Sequence, residues 1–172
     1  PSRCLFCGCH TTVGQSGQIV DSYVDGLRSE MKLAQEVVDS RREVHQVAIG
    51  GGTPNYLSES QLARLLDSLE STWQIAEGAE LSVEINPRTS TKEKLKAFLE
   101  RGFNRFSLGI QDFSQEVLNL VKRGQGLLEV EEALDFLRSN GIEAINFDLI
   151  YGLPGQSLSS IETTAARVVE FA

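Results

Sequence analysis

The chain has 172 residues, 41% of them hydrophobic and 23% charged, which is enough for one globular core. Its net charge of −8 disfavours nucleic acid as a partner, because phosphate binding needs clustered lysine and arginine. No apolar run approaches the roughly 20 residues of a bilayer crossing, no signal peptide is visible, and one tight cysteine cluster argues against a secreted disulfide scaffold. A reducing, cytoplasmic setting without membrane attachment is expected.

In chain order, the first feature is "PSRCLFCGCH", which places Cys4, Cys7 and Cys9 within six residues. The start on Pro rather than Met predicts that the natural N-terminus lies upstream. Val20, Val24, Leu27, Met31, Ala34 and Val38 then recur at three- and four-residue steps, one apolar stripe on a helix. "VHQVAIGGG" reads as a buried strand running into glycines. Ser58 and Gln61 form a capping-box pattern for a helix carrying Leu62, Leu65, Leu66, Leu69 and Trp73. "LSVEINP" predicts a strand, and Ser90 with Glu93 a cap for the helix through Leu95, Phe98 and Leu99 that Gly102 ends. "FNRFSLGIQ" predicts a strand, Val117 to Val121 a helical stretch, and Glu129 to Ser139 a helix that stops at Gly141. "AINFDLIYG" predicts the fourth strand, and a last helix begins near Ser159 with Ile161, Ala165 and Val168 on its apolar stripe.

Four strands alternating with helices imply an α/β fold with parallel pairing and right-handed crossovers. An open doubly wound sheet and a β/α barrel both satisfy that pattern. The polar residues are more telling. "GGGT" (Gly50 to Thr53), Glu84, Gln111 and Asp148 each stand at or just beyond the C-terminal end of a predicted strand, the edge that carries the chemistry in parallel β/α folds. A carboxylate at the end of a buried strand must be hydrogen-bonded or used. Four such strand ends favour a shared polar pocket over four separately satisfied loop residues.

The cysteines admit more than one reading. A zinc knuckle of Cys4, Cys7, Cys9 and His10 would crowd adjacent side chains around one tetrahedron and has no second ligand pair after it. A thioredoxin-like pair should open a helix, yet glycine and β-branched residues follow. An iron–sulfur cluster with one iron open to a ligand that is not protein stands level with zinc on chemistry alone. "GGGTP" brings the backbone close to a ligand but lacks the Gly-Lys-Ser/Thr of a phosphate-binding loop and is no dinucleotide fingerprint. Arg88, Arg105 and Arg123 could face the same pocket, although any one is more simply a solvated charge. His45 is most simply structural, and Phe6 between two cysteines is most simply a core anchor.

Taken in order, "CLFCGC", "GGGTP", "EINPR", "LGIQDF", "VKRGQ" and "DLIYGLP" resemble the oxygen-independent coproporphyrinogen III oxidases of the radical S-adenosylmethionine superfamily. The resemblance covers essentially the whole chain. It implies a partial (β/α) barrel of the radical S-adenosylmethionine type, with residues 1–172 an incomplete core domain truncated at both ends. The first strand, the last barrel strand and the C-terminal region are expected to be missing. The family pattern is Cys-x3-Cys-x2-Cys-x-Cys, so Cys4 and Cys7 match its second and third cysteines, the first falling immediately before Pro1. Those three hold a [4Fe–4S] cluster in the family, while Cys9 matches a cysteine that is not a ligand. His10 stands where the family is expected to carry Asn.

The resemblance also implies two S-adenosylmethionine molecules. Gly51 and Glu84 would contact the one on the cluster, Glu84 through the ribose, and Phe6, Gly52, Thr53, Gln111, Arg123 and Asp148 would contact the second. The implied reaction turns two propionates of coproporphyrinogen III into vinyl groups, giving protoporphyrinogen IX, by way of a 5′-deoxyadenosyl radical generated at the cluster. The implied partners are the tetrapyrrole and an electron donor such as a flavodoxin or ferredoxin. Arg3 and Arg123 are the nearest cations for the substrate's carboxylates. A haem chaperone of the same family and a radical methyltransferase acting on haem are the rival readings.

Overall fold

The computed structural model describes residues 3–9, 12–39 and 42–171. Among these, the elements run α1 (Gly17–Val37), β1 (Val44–Ile49), α2 (Glu59–Thr72), β2 (Ile75–Ile85), α3 (Lys92–Leu99), β3 (Arg105–Gln111), α4 (Gln115–Leu120), α5 (Leu127–Ser139), β4 (Ala144–Leu149) and α6 (Leu158–Glu170). Short 3-10 turns at Pro54–Tyr56 and Pro87–Thr89 follow β1 and β2. None of the described helices is long and apolar enough to cross a membrane.

The four strands form one sheet in the order β1-β2-β3-β4, every pair parallel. A doubly wound sheet reverses its order at a switch point and so carries helices on both faces. Here each strand lies beside its predecessor in the chain, and right-handed crossovers then place the helices on one face, as in a barrel. The strand order thus decides between the two architectures that the residue pattern left open.

Strand alternation sorts the side chains between those faces. Val47, Leu81, Val83, Ile85, Phe106, Leu108 and Ile110 are buried in one core with Leu62 and Leu66 of α2, Leu95 and Phe98 of α3, and Leu134 and Leu137 of α5. The rings of Phe103 and Phe106 meet that of Phe98 edge-on, at centroid distances of 5.1 and 6.5 Å. On the other face Ala48, Glu84, Asn146 and Asp148 are exposed, and the register sets Glu84 opposite Ser107 and Ser107 opposite Asn146. The open face is polar.

Local chemistry fixes most element ends. Ser58 accepts from the Gln61 N–H and Gln61 accepts from the Ser58 N–H, the reciprocal cap expected for α2. Among the boundaries that differ from the sequence expectation, three have a clear physical reason. The second strand begins at Ile75 rather than near Leu81, because Ile75 pairs with Val44 through a bulge although Glu77 and Gly78 interrupt the apolar pattern. The cap of α3 is Thr91, whose hydroxyl accepts from the Lys94 N–H, since the Ser90 hydroxyl is spent on the Asn86 carbonyl and the Asn55 amide. Trp73 ends α2 in an extended conformation instead of extending it.

Candidate active site

The cysteines lie on a loop docked against the C-terminal end of the sheet. The Leu5 N–H donates to the Val121 carbonyl at 3.0 Å, and the Cys7 N–H donates to the Cys4 carbonyl at 3.1 Å. Phe6 packs with Ile150 against Val117, Val121 and Leu153, so its ring anchors the loop as well as standing between two thiols. Cys4 and Cys7 are half-buried and Cys9 is exposed. A hydrogen bond with Cys7, then the charge of Cys7, pushes the Cys9 thiol pKa up, and burial and the Glu84 carboxylate add to the effect. His10 lies outside the described residues. Among those described, no three His, Cys, Asp or Glu side chains converge as a metal site.

The three glycines after β1 have separate reasons to be glycine. A Cβ on Gly50 would stand 2.6 Å from the Glu84 carboxyl carbon, so the carboxylate occupies the space a side chain would take. Gly51 has φ +99°, a conformation other residues rarely adopt. Its N–H donates to Glu84 Oε2 at 3.0 Å. A Cβ on Gly52 would meet nothing within 4 Å, so its backbone faces open space. Thr53 follows, half-buried, and its carbonyl accepts from the Tyr56 N–H.

Across the sheet, β3 ends in a bulge. The register with β4 shifts between Gly109 and Gln111, and Gln111 sits at φ +71°. Bulges of this kind re-aim a side chain, and a non-glycine residue there is strained. Lys122, just before Arg123, is at φ +56° and turns the chain back over β3. The Arg123 guanidinium then donates to the Gly109 carbonyl and to Gln125 Oε1, and its Nη1 lies 4.0 Å from Cys4 Sγ. A Cβ on Gly109 would stand 2.9 Å from Arg123 Nη2 and 3.0 Å from Gln111 Nε2, so that glycine makes room for both side chains. On β4, both carboxylate oxygens of Asp148 accept from the Ser107 hydroxyl, at 2.9 and 3.0 Å.

The expected residues therefore form two contact groups on one sheet edge. Gly51 and Glu84 make one, while Cys4, Arg123 and Gln111 around Gly109 make the other, with Phe6 beneath the cysteine loop. Gly52 and Thr53 stand on the same edge, and Asp148 pairs with Gly109 in the β3–β4 register. Of the other cations, Arg105 pairs with Glu80 at 3.6 Å, Arg88 lies beside Gly124, and Arg3 donates to the Cys7 carbonyl at 3.3 Å.

Sequence reasoning passed over the residues that hold this edge together. Asn55 is fully buried: its amide donates to the Asn86 carbonyl and Ser90 hydroxyl, and its Oδ1 accepts from the Asn86 N–H at 3.0 Å. It ties the glycine turn to the end of β2. Lys94 donates to the Asn55 carbonyl at 2.8 Å, and burial pushes its pKa down against the opposing pull of Glu59. Gln125, 2% exposed, carries Arg123 on its Oε1 and donates to the Ile110 carbonyl. Asp112 is fully buried as well. An amide or acid next to "GGGTP" or "LGIQ" was the one signal available.

The geometry has counterparts among known proteins. The model of the Radical SAM superfamily matches residues 1–168. An oxygen-independent coproporphyrinogen III oxidase of Synechocystis is 38% identical over 167 residues, covering 97% of this chain and 36% of the relative. The Helicobacter pylori (strain J99) protein of that name is 40% identical over 170 residues, covering 98% and 37%. The structure of coproporphyrinogen III oxidase from Escherichia coli, described as a radical SAM enzyme, superposes with a TM-score of 0.93 at 38% identity, covering 99% of this chain and 39% of that one. The chain thus spans a little over a third of the length of the curated relatives it matches. Membership of the superfamily implies a [4Fe–4S] cluster and S-adenosylmethionine. Two half-buried thiols on a pinned loop, with a guanidinium beside one of them, suit cluster ligation. With its strand order, its cysteine loop and a match over nearly all its residues, the chain belongs to the Radical SAM superfamily.

Proposed function

We propose that the protein carrying this chain is an anaerobic coproporphyrinogen III oxidase, cytoplasmic, supplied with electrons by a flavodoxin- or ferredoxin-like donor. The observation that supports this reading is 38–40% identity over almost the whole chain to oxidases of that name. Cys4 and Cys7 would supply two of three cluster ligands, and the cluster would supply the electron that cleaves S-adenosylmethionine. The remaining work falls to the strand-end residues. Glu84, with one oxygen held by the Gly51 N–H, would accept hydrogen bonds from an adenosyl ribose. Gly51 would bring its backbone against the same molecule. Phe6, Gly52, Thr53, Gln111, Arg123 and Asp148 would hold a second S-adenosylmethionine. The polar face between them would orient a propionate of the substrate and exclude bulk water.

The full-length protein, with cluster and a reductant, should release CO2 from coproporphyrinogen III under anaerobic conditions. Stable haem binding without CO2 would favour the chaperone reading, and methyl transfer to haem the methyltransferase.

A second expectation concerns Glu84. Hydrogen bonds to a charged acceptor contribute about 1.5–3 kcal/mol each, and Glu84→Gln keeps the shape but not the charge. Affinity for the first S-adenosylmethionine should fall by roughly one to two orders of magnitude while cluster content stays intact. Unchanged affinity and turnover would make Glu84 a purely structural partner of the Gly51 N–H.

A further inference from the structure

We infer that Asp112 is a positioning residue for the second S-adenosylmethionine site, holding the bulged end of β3 and the segment after β4 in register with each other. The inference rests on the two-molecule reading above.

Asp112 is a fully buried carboxylate whose three donors are all neutral. Its Oδ1 accepts from the Ser114 N–H at 2.7 Å and the Thr164 hydroxyl at 2.9 Å, and its Oδ2 accepts from Gln156 Nε2 at 2.5 Å. Burying a carboxylate without a cation is costly even when it is fully hydrogen-bonded. A cap alone for α4 does not call for it, because the Ser114 hydroxyl already accepts from the Val117 N–H. What a carboxylate adds is acceptance only, so donors from the N-cap of α4, from α6 and from the segment after β4 can converge on it without any hydrogen in the way.

Two of its links lead to the candidate site. Asp112 directly follows Gln111, whose φ of +71° is strained and needs surroundings that over-determine it. Its Gln156 partner also donates to the Ile150 carbonyl and accepts from the Leu153 N–H, both at 2.8 Å, which clamps the segment just after Asp148. That segment closes the loop: the Ile150 N–H donates to the Gln111 carbonyl at 3.0 Å, and Ile150 and Leu153 pack beside Phe6. One buried carboxylate therefore sets Gln111 and Asp148 relative to each other, and both belong to the proposed second cofactor site.

The test uses the full-length protein, its cluster reconstituted anaerobically, in equilibrium dialysis against labelled S-adenosylmethionine. Wild type should bind two molecules per cluster. Asp112→Asn puts a donor where three donors meet and should weaken the second molecule about tenfold or more, leaving the first at wild-type affinity. Gln156→Leu cuts the clamp from the other side and should do the same. Leu66→Ala, in the α2 side of the core, is the stability control: it should lower the melting temperature at least as much and leave both affinities alone. If second-site affinity merely follows melting temperature across all three variants, Asp112 is structural and the inference falls. Unchanged second-site binding in Asp112→Asn and Gln156→Leu overturns it too. Should Asp112→Asn not fold, the contrast between Gln156→Leu and Leu66→Ala decides alone. A wild type that binds one molecule only overturns the two-molecule reading itself, and the inference with it.

Discussion

Cys7→Ser in the full-length protein is expected to abolish the cluster and turnover while leaving the fold in place. A cysteine ligates iron as its thiolate, and the serine hydroxyl that would replace it does not ionise near neutral pH. The loss should therefore be complete rather than graded: no iron–sulfur absorption, no EPR signal after dithionite, and no CO2 from substrate. The fold should survive because the loop is held by other groups. Phe6 is seated against Val117, Val121 and Leu153, and the Leu5 N–H is bonded to the Val121 carbonyl. Removing a half-buried sulfur at this position should cost no more than about 1 kcal/mol. Cys4→Ser should behave alike, and Cys9→Ser should retain the cluster. A Cys7→Ser protein that keeps a full four-iron cluster would remove Cys7 from the ligand set.

Phe98→Ala is expected to give the largest loss of stability of any single substitution considered. Phe98 is 0% exposed and lies at the centre of the core, where α3 meets β3. Truncating a buried phenylalanine costs about 3–5 kcal/mol through lost transfer energy and the cavity left behind. Its ring also meets Phe103 at an interplanar angle of 68° and Phe106 at 85°, edge-on geometry that adds to simple burial. Against a total stability of about 5–15 kcal/mol, that is a large fraction. The midpoint of urea unfolding should shift strongly downward. A loss under about 1.5 kcal/mol would mean that Phe103 and Phe106 collapse into the space.

Much of the architecture was legible because it is written locally. The capping pair Ser58 and Gln61 announced α2, glycines 102 and 141 marked the stops after α3 and α5, and the strand-end positions of Glu84 and Gln111 pointed to one edge. What escaped was tertiary. Gly78 and Glu77 hid the first half of β2, whose pairing with Val44 depends on β1 rather than on its own pattern. Nothing local distinguishes Ser90 from Thr91 as a cap, since the choice turns on Asn55 reaching over from another loop. Asp112 and Asn55 look like ordinary loop polars until burial and partners are known. The strand order itself rests on pairing between successive strands, which no local pattern shows.

That order has a consequence for how the chain is made. In a sheet ordered β1-β2-β3-β4, each strand finds its hydrogen-bonding partner in the strand synthesised just before it. Pairing therefore spans only some tens of residues, which keeps loop-closure entropy low and lets units add one after another as the chain leaves the ribosome, at roughly 5–20 residues per second. A reversing order would force early strands to wait for late ones with apolar surface uncovered. Here the helix that covers each strand's apolar face is built before the next strand arrives, and the polar face carrying Glu84 and Asp148 can stay wetted throughout. The growing edge is left unpaired at each stage, so assembly is exposed to mispairing there.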